Sequence, residues 1–343
     1  MDSNERLRGE VPFELQRWAL TCKLLGVNDE TIAKESEGRL TLEQLRVLDR
    51  SLEGDPLHAA ASELVLLLKR HEWLADVRRQ LELVGRWGTR IERRKTPPAK
   101  VFFDEYFATN RPVVLTDFGK AWPAKKKWTN AYLRRTCGDA TVKVVHNREK
   151  THLYDAKAKA LSRELRFRDF IDWVEAHPKS NDRYLVGNND ALSNPLVATL
   201  LKDCRYDTTY FDPRRVEGCA YLWFGPGGTV TPLHHDTVNI ILTQVRGTKH
   251  FTLISPAHTA LLHDSHAYYS LLDLDGPDRK NHPSLRNANI VECTVGPGES
   301  VFIPAGWWHH VRSESVSISL TLTNFRVPNA YEATNPIATP WKT

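Results

Sequence analysis

Cysteine is scarce in this 343-residue chain, which has only five, scattered along its length. No two of them form a Cys-x-x-Cys pair, so the pattern indicates neither a zinc site nor a disulfide framework. Long apolar runs are also missing, and none approaches the roughly 20 residues that a membrane-spanning helix needs. The first residues, MDSNERLRGE, are charged and lack the apolar segment of a secretion signal. We therefore expect a soluble protein of a reducing compartment, cytoplasmic or, in a eukaryote, nuclear.

Charge of one sign is not in large excess either. The chain has 47 Lys and Arg against 42 Asp and Glu, a net charge of +5 at pH 7. So mild an excess does not argue for a nucleic-acid partner. Hydrophobic residues make up 41% of the chain, which is enough for one large or two ordinary domains with real cores.

The first part of the chain has helical periodicity. Thr41 and Gln44 form a capping-box pattern before a predicted helix, and residues 59–83 predict a much longer one. The basic stretch from Arg90 to Lys100 contains two consecutive prolines and is typical of a linker. We therefore predict an N-terminal helical region over residues 1–95 and a second domain over residues 96–343.

The second half of the chain has the period of β-strands. From Ala220 onward, short strand patterns alternate with Gly/Pro turns, as in an all-β barrel with its core at about residues 216–326. Residues 290–303 predict a hairpin around a Gly-Pro-Gly turn, and residues 183–186 predict a short strand. Alternation from Val316 to Asn324 predicts a strand with one apolar and one polar face.

Three candidate metal ligands stand in the barrel region. His234 and Asp236 are two residues apart at a predicted strand start, so their side chains point the same way and His235 points opposite. His309 follows 75 residues later, after a Pro-Ala-Gly turn. Two imidazoles and one carboxylate are the facial triad of non-haem Fe(II) oxygenases. The same alternation, continued along the strand, places Val238, Ile240 and Leu242 inside the barrel.

Lys249 is the next candidate, on the strand that follows Gly247. A lysine in a barrel strand near a metal suits a dicarboxylate, whose far carboxylate needs a charged partner in a site of low dielectric constant. Thr231 and Tyr184 are candidate hydroxyl donors to the same carboxylate.

These motifs resemble those of a known family. Trp-Phe-Gly-Pro-Gly-Gly-Thr at residues 223–229, Thr-Pro-Leu-His-His-Asp at 231–236 and Gln-Val-Arg-Gly-Thr-Lys at 244–249 are similar to the JmjC (cupin-8-like) 2-oxoglutarate oxygenases. Segments at residues 111–114, 122–123 and 298–309 continue the similarity. It covers about residues 100–326, and the first 95 residues resemble no family that we can name.

The resemblance implies an α+β protein with a double-stranded β-helix (jelly-roll, cupin) core behind the helical region. It implies Fe(II) on the three candidate ligands, with 2-oxoglutarate as co-substrate and O2 as oxidant. The far carboxylate of 2-oxoglutarate would meet Lys249, Thr231 and Tyr184. Asn324 is carried over as a further co-substrate contact. One departure is that Ile240 stands where members often have an asparagine, while Asn239 is one residue earlier.

The function implied is hydroxylation of a protein or peptide side chain, with succinate and CO2 as co-products. The same chemistry on a small molecule or a modified tRNA nucleoside, or demethylation by a JmjC demethylase, stays open. A different class is a non-catalytic cupin binding protein, against which the intact ligand set argues. The expected partner is a protein or peptide substrate, not a membrane or a nucleic acid, and the helical region leaves a homodimer open.

Overall fold

A computed structural model of the protein describes residues 11–85, 90–151, 154–187, 189–262, 265–266, 268–276, 278–286 and 288–331. The chain divides into two compact units, Met1–Arg78 and Arg79–Thr343. The domain boundary that we predict from the sequence, between residues 95 and 96, stays a prediction. Among the described helices, none combines the length and the apolar character that a membrane crossing requires.

The first unit is helical. Its helices are α1 (Phe13–Leu24), α2 (Asp29–Glu35), α3 (Leu42–Leu52) and α4 (Pro56–Val84), the last of which runs past the end of the unit. The predicted capping box is present at the start of α3, where Thr41 and Gln44 bond each other's backbone amides. Ala19, Ile32 and Leu45 are fully buried and form the small core of the unit.

The second unit is built around two six-stranded sheets and one short pair. The strands are β1 (Glu92–Arg94), β2 (Val113–Leu115), β3 (Thr141–Val145), β4 (Ser162–Arg166), β5 (Ala220–Gly225), β6 (Val230–His235), β7 (Ile240–Arg246), β8 (Lys249–Ile254), β9 (Ser265–His266), β10 (Tyr269–Ser270), β11 (Ile290–Val295), β12 (Ser300–Ile303), β13 (Trp308–Ser313) and β14 (Ser317–Leu322). One sheet has the order β1-β2-β12-β7-β14-β5 and the other β11-β8-β13-β6-β10-β9. Apart from the parallel β1–β2 pair, the pairing is antiparallel. This is the predicted α+β architecture with a jelly-roll core.

Apolar side chains of both sheets meet in one core, which makes the sheets two walls of a barrel. Leu242 and Val301 of the first sheet pack with Phe251, Leu253 and Val311 of the second. The outer face of the first sheet is also apolar, and Ile318 and Leu320 of β14 pack there against the helices of the unit. The helices that pack there are α5 (Ala99–Phe102), α6 (Ala124–Lys127), α7 (Asn130–Cys137), α9 (Phe167–Ala176) and α10 (Pro195–Ala198). The other described α-helices that lie wholly in this unit are α8 (Ala158–Leu161), α11 (Asp278–Asn281) and α12 (Pro283–Arg286).

Four local predictions differ from the structure. The strand expected to continue through residues 234–244 ends at His235, and β7 begins at Ile240 in the opposite sheet. The expected hairpin over 290–303 is not one, because β11 pairs with β8 while β12 pairs with β2 and β7. The expected linker contains β1, paired with β2. Residues 183–186 make only isolated bridges, at Tyr184 and Leu185.

Candidate metal centre and cavity

Two neighbouring strands bring the three candidate ligands together. In the register of β6 and β13, His234 lies directly opposite His309, and their ring centroids are 4.1 Å apart. Asp236 follows the end of β6, and its Oδ2 lies 3.8 Å from His309 Nε2. One ligand atom from each of the three residues lies within 4.8 Å of the other two. The arrangement offers two imidazole nitrogens and one carboxylate oxygen to a single cation.

Backbone carbonyls fix the orientation of both imidazoles. His234 Nδ1 lies 2.8 Å from the carbonyl oxygen of Pro232, and His309 Nδ1 lies 2.9 Å from that of Trp307. A carbonyl oxygen only accepts, so each Nδ1 carries the proton and each Nε2 keeps its lone pair for a metal. Burial, followed by the nearby His234 ring, lowers the pKa of His309 to about 3. His309 is therefore neutral and ready to ligate at physiological pH.

His235 lies away from the ligands, in the position that strand alternation gives it. Its ring packs edge-on against Trp308 at 4.7 Å between centroids and against Tyr268 at 5.6 Å. It is not among the residues that line the cavity beside the ligands. Although the strand ends at His235, Ile240 and Leu242 still line that cavity, because they reach it from the opposite wall.

A cavity of about 890 Å³ opens beside the three ligands. Its aliphatic wall includes Ile240, Leu242, Ile303 and Val311. Its lining also includes Trp223, Phe251, Thr321 on β14, and Thr323 just after that strand. A space of this size falls in the range of small-molecule sites, and its mixed lining is typical of them.

Lys249 is buried in the wall of this cavity with one polar partner. Only 2% of the residue is exposed, and its Nζ donates a 2.9 Å hydrogen bond to the Tyr184 hydroxyl. Burial alone lowers the pKa of Lys249 to about 7. Thr231 also lines the cavity, and hydrogen bonds with Ser313 and Thr231 act on the Tyr184 phenol, whose pKa burial raises. Lys249, Thr231 and Tyr184 thus form one connected polar group, although Tyr184 is not itself in the lining.

Asn324 and Asn239 both hold the backbone rather than line the cavity. Asn324 is fully buried, and its Nδ2 donates to the carbonyl oxygen of Asp212 at 2.8 Å. Asn239 pairs with Asn329 and accepts a hydrogen bond from the amide of Ala305. At residue 240, where the family often has an asparagine, this chain therefore has an isoleucine in the cavity wall, and the nearby Asn239 does not replace the missing polar group there.

Sequence reasoning missed two polar residues in the cavity, Asp155 and Tyr269. Asp155 is buried, and Arg148 Nη1 donates to its Oδ1 at 2.5 Å, while its Oδ2 has no hydrogen-bond partner. Tyr269 of β10 pairs with His234 in register, and the two rings stack with centroids 5.4 Å apart. No local signal could have found them, because Asp155 lies in a turn and Tyr269 in a two-residue strand, both far in sequence from the motifs.

The fold and the cavity together define a class of protein. It is a jelly-roll protein whose barrel carries a His-x-Asp and a distal His beside a buried lysine. Residues 98–327, more than half of the chain, match the Cupin-like domain family. The chain belongs to that family and, within it, to the JmjC 2-oxoglutarate oxygenases, as the resemblance implied.

Several curated relatives support this assignment. The chain is 31% identical over 238 residues to lysine-specific demethylase 8 of Xenopus tropicalis, covering 68% of this chain and 52% of the relative. It is 31% identical over 247 residues to lysine-specific demethylase JMJ30 of Arabidopsis thaliana, covering 68% and 54%. It is 25% identical over 255 residues to bifunctional peptidase and (3S)-lysyl hydroxylase JMJD7 of Homo sapiens, covering 66% and 81%. The chain thus spans about half the length of the first two.

Proposed function

We propose that this protein is an Fe(II)- and 2-oxoglutarate-dependent oxygenase that hydroxylates a side chain of a protein or peptide. The observation that carries the proposal is one cavity that contains both a His-Asp-His ligand set and a buried lysine. The names of the relatives, which include a lysyl hydroxylase and lysine demethylases, agree with a protein substrate.

The ligand atoms fit Fe(II) in number and chemistry. Two neutral imidazole nitrogens and one carboxylate oxygen are the donors of a facial triad, which leaves positions open on the metal. When bound, the iron with 2-oxoglutarate and O2 supplies the oxidising chemistry. His234, His309 and Asp236 would hold the cation, and the carbonyl oxygens of Pro232 and Trp307 fix the orientation of the two imidazoles.

Lys249 gives the cavity its preference for a dicarboxylate. A buried ammonium without a counter-ion is costly, and a carboxylate that reaches it restores the favourable charged state. The Tyr184 hydroxyl orients the ammonium, and Thr231 offers a second hydroxyl from β6. The far carboxylate of 2-oxoglutarate is the ligand we assign to this group.

Asp155, which also lines the cavity, offers a further binding group. Arg148 occupies Oδ1 and balances its charge, so the remaining Oδ2 needs a donor. A buried acceptor without a donor costs about 1–3 kcal/mol, which a ligand that donates a hydrogen bond recovers. We therefore assign to Asp155 an N–H group of the substrate side chain.

A spectroscopic titration tests the chemistry. Anaerobic addition of Fe(II) and then 2-oxoglutarate should give the weak metal-to-ligand charge-transfer band of a chelated keto acid. His234→Ala should lose the band and the uncoupled release of succinate. His250→Ala is the matched control, since that half-buried histidine on β8 lies outside the cavity lining and bonds Glu292 and Thr294. Absence of the band in the wild type would favour a non-catalytic cupin binding protein.

Mass spectrometry of treated substrates tests the reaction class. Peptides with central lysine, arginine or asparagine, methylated lysine peptides, and modified tRNA would be incubated with the enzyme. We expect a peptide to gain the mass of one oxygen atom, with stoichiometric succinate. Loss of a methyl group instead would indicate a demethylase, and reaction of tRNA alone would reject the protein substrate.

A further inference from the structure

Helix α4 exposes large apolar side chains along its length. Leu64, Leu67 and Leu74 are 62%, 50% and 54% exposed. The set of large exposed hydrophobic residues on this helix is Leu57, Leu64, Leu66, Leu67, Leu68, Trp73, Leu74, Leu81, Leu83 and Val84. Scattered single apolar residues are normal at a surface, whereas a continuous apolar strip indicates a binding surface.

Five of the eight exposed leucines of α4 follow a seven-residue repeat. Leu57 and Leu64 are seven apart, and Leu67, Leu74 and Leu81 form a second series three positions further along. These are the a and d positions of a coiled-coil seam. We call the eight a and d positions the α4 seam: Leu57, Leu64, His71 and Arg78 at a, and Ala60, Leu67, Leu74 and Leu81 at d. It spans about 36 Å at 1.5 Å per residue.

We propose that the α4 seam binds the α4 seam of a second copy of this chain, with the two helices antiparallel and the two-fold axis crossing the seam midway between Leu67 and His71. In this register Leu57 faces Leu81 of the partner subunit, and Leu64 faces Leu74 of the partner subunit. Arg78 faces Ala60 of the partner subunit, where a small residue leaves room for a long side chain. A helix pair of this kind buries the repeat without any other protein.

The charges beside the seam select a second copy in this orientation. Glu63 and Arg70 occupy successive g positions and are both exposed. Antiparallel pairing brings the same edge of each helix together, so Glu63 meets Arg70 of the partner subunit, twice by symmetry. Parallel pairing would instead stack Arg78 on its own copy, and like charges at facing core positions are unfavourable. The sequence is therefore complementary to itself in the antiparallel arrangement.

Sedimentation velocity of the full chain tests the association. We expect a dimer at micromolar concentration, and a dissociation constant raised roughly a hundredfold or more in Leu67→Asp/Leu74→Asp, because charges would enter the seam. Leu196→Asp is the matched control, since Leu196 lies on α10 and is 44% exposed. A monomeric wild type at tens of micromolar, or equal weakening by the control, would overturn the proposal. Circular dichroism checks that each variant remains folded.

A charge swap tests the orientation. Glu63→Arg alone and Arg70→Glu alone should each weaken the dimer, because each places like charges across the seam. The double variant Glu63→Arg/Arg70→Glu should restore the wild-type association. Single variants that dimerise like the wild type, or a double variant weaker than both, would reject the antiparallel register. The result does not depend on the proposed oxygenase activity, since neither measurement involves metal or co-substrate.

Discussion

At the scale of single residues, burial sets the properties of Lys249. Its pKa is lowered from 10.5 to about 7 by burial. Between these two values the unfolded chain binds a proton that the folded, ligand-free protein does not. The contribution of this group to stability therefore rises with pH from about 7 to 10.5, and below 7 the buried charge is a constant cost. A carboxylate ligand changes this balance, because it favours the ammonium.

The first prediction concerns the pH dependence of 2-oxoglutarate binding. Binding requires the protonated lysine, so affinity should be constant below about pH 7 and fall roughly tenfold per pH unit above it, with uptake of one proton. Calorimetric titration of the Mn(II)-loaded protein in buffers of different ionisation enthalpy measures both effects. Lys249→Met should bind 2-oxoglutarate much more weakly at every pH. An affinity that rises between pH 7 and 9 would contradict the assignment.

The second prediction concerns Asp155. Asp155→Asn keeps an oxygen for Arg148 and replaces the acceptor Oδ2 with an NH2 donor. Loss of a hydrogen bond to a charged group costs about 1.5–3 kcal/mol, so the KM of a peptide substrate should rise roughly ten- to a hundredfold. Glu164→Gln removes a carboxylate elsewhere in the cavity lining and is the control. Equal changes in the KM of peptide and of 2-oxoglutarate would argue against a substrate contact.

At the scale of elements, a close approach between β5 and Tyr184 positions the lysine. Gly225 ends β5, and a Cβ at this position would lie 2.6 Å from Tyr184 Cδ2. The glycine therefore lets the tyrosine ring lie against the strand, where its hydroxyl reaches Lys249. A glycine on β5, in the first sheet, thus affects the orientation of Lys249 on β8, in the second sheet.

The third prediction follows from that contact. Gly225→Ala should displace the Tyr184 ring, cost about 1–3 kcal/mol of stability and weaken 2-oxoglutarate binding, because the ammonium loses its orienting hydroxyl. Denaturant unfolding and 2-oxoglutarate titration measure the two effects. Gly296→Ala is the control, since its nearest neighbour would be 3.9 Å away. If Gly225→Ala binds 2-oxoglutarate as the wild type does, Tyr184 does not orient the lysine.

At the scale of the whole molecule, local patterns predicted more of the site than of the sheets. Alternation along one strand predicted that the side chain of His234 points into the barrel and that of His235 points out of it. Such a prediction is possible because side-chain direction is a local property of a strand. Which sheet a strand joins depends on distant parts of the chain, and for this reason the predicted hairpin over residues 290–303 was wrong. Asp155 lies 79 residues before His234, and only the folded barrel brings it to the cavity. The spacing of the motifs could predict the three candidate metal ligands, but not the other residues that line the cavity beside them.

The last prediction concerns the stability of the whole protein with and without metal. A cation that binds only the folded barrel stabilises it by mass action, by about 2.7 kcal/mol at a hundredfold excess over its dissociation constant. For a unit of this size each kcal/mol corresponds to about 2–4 °C, so Mn(II) should raise the unfolding midpoint by roughly 5–10 °C over EDTA-treated protein. Asp236→Ala should abolish the increase, because two neutral imidazoles alone bind the cation weakly. His250→Ala should keep it, and an equal increase in the Asp236 variant would place the metal elsewhere.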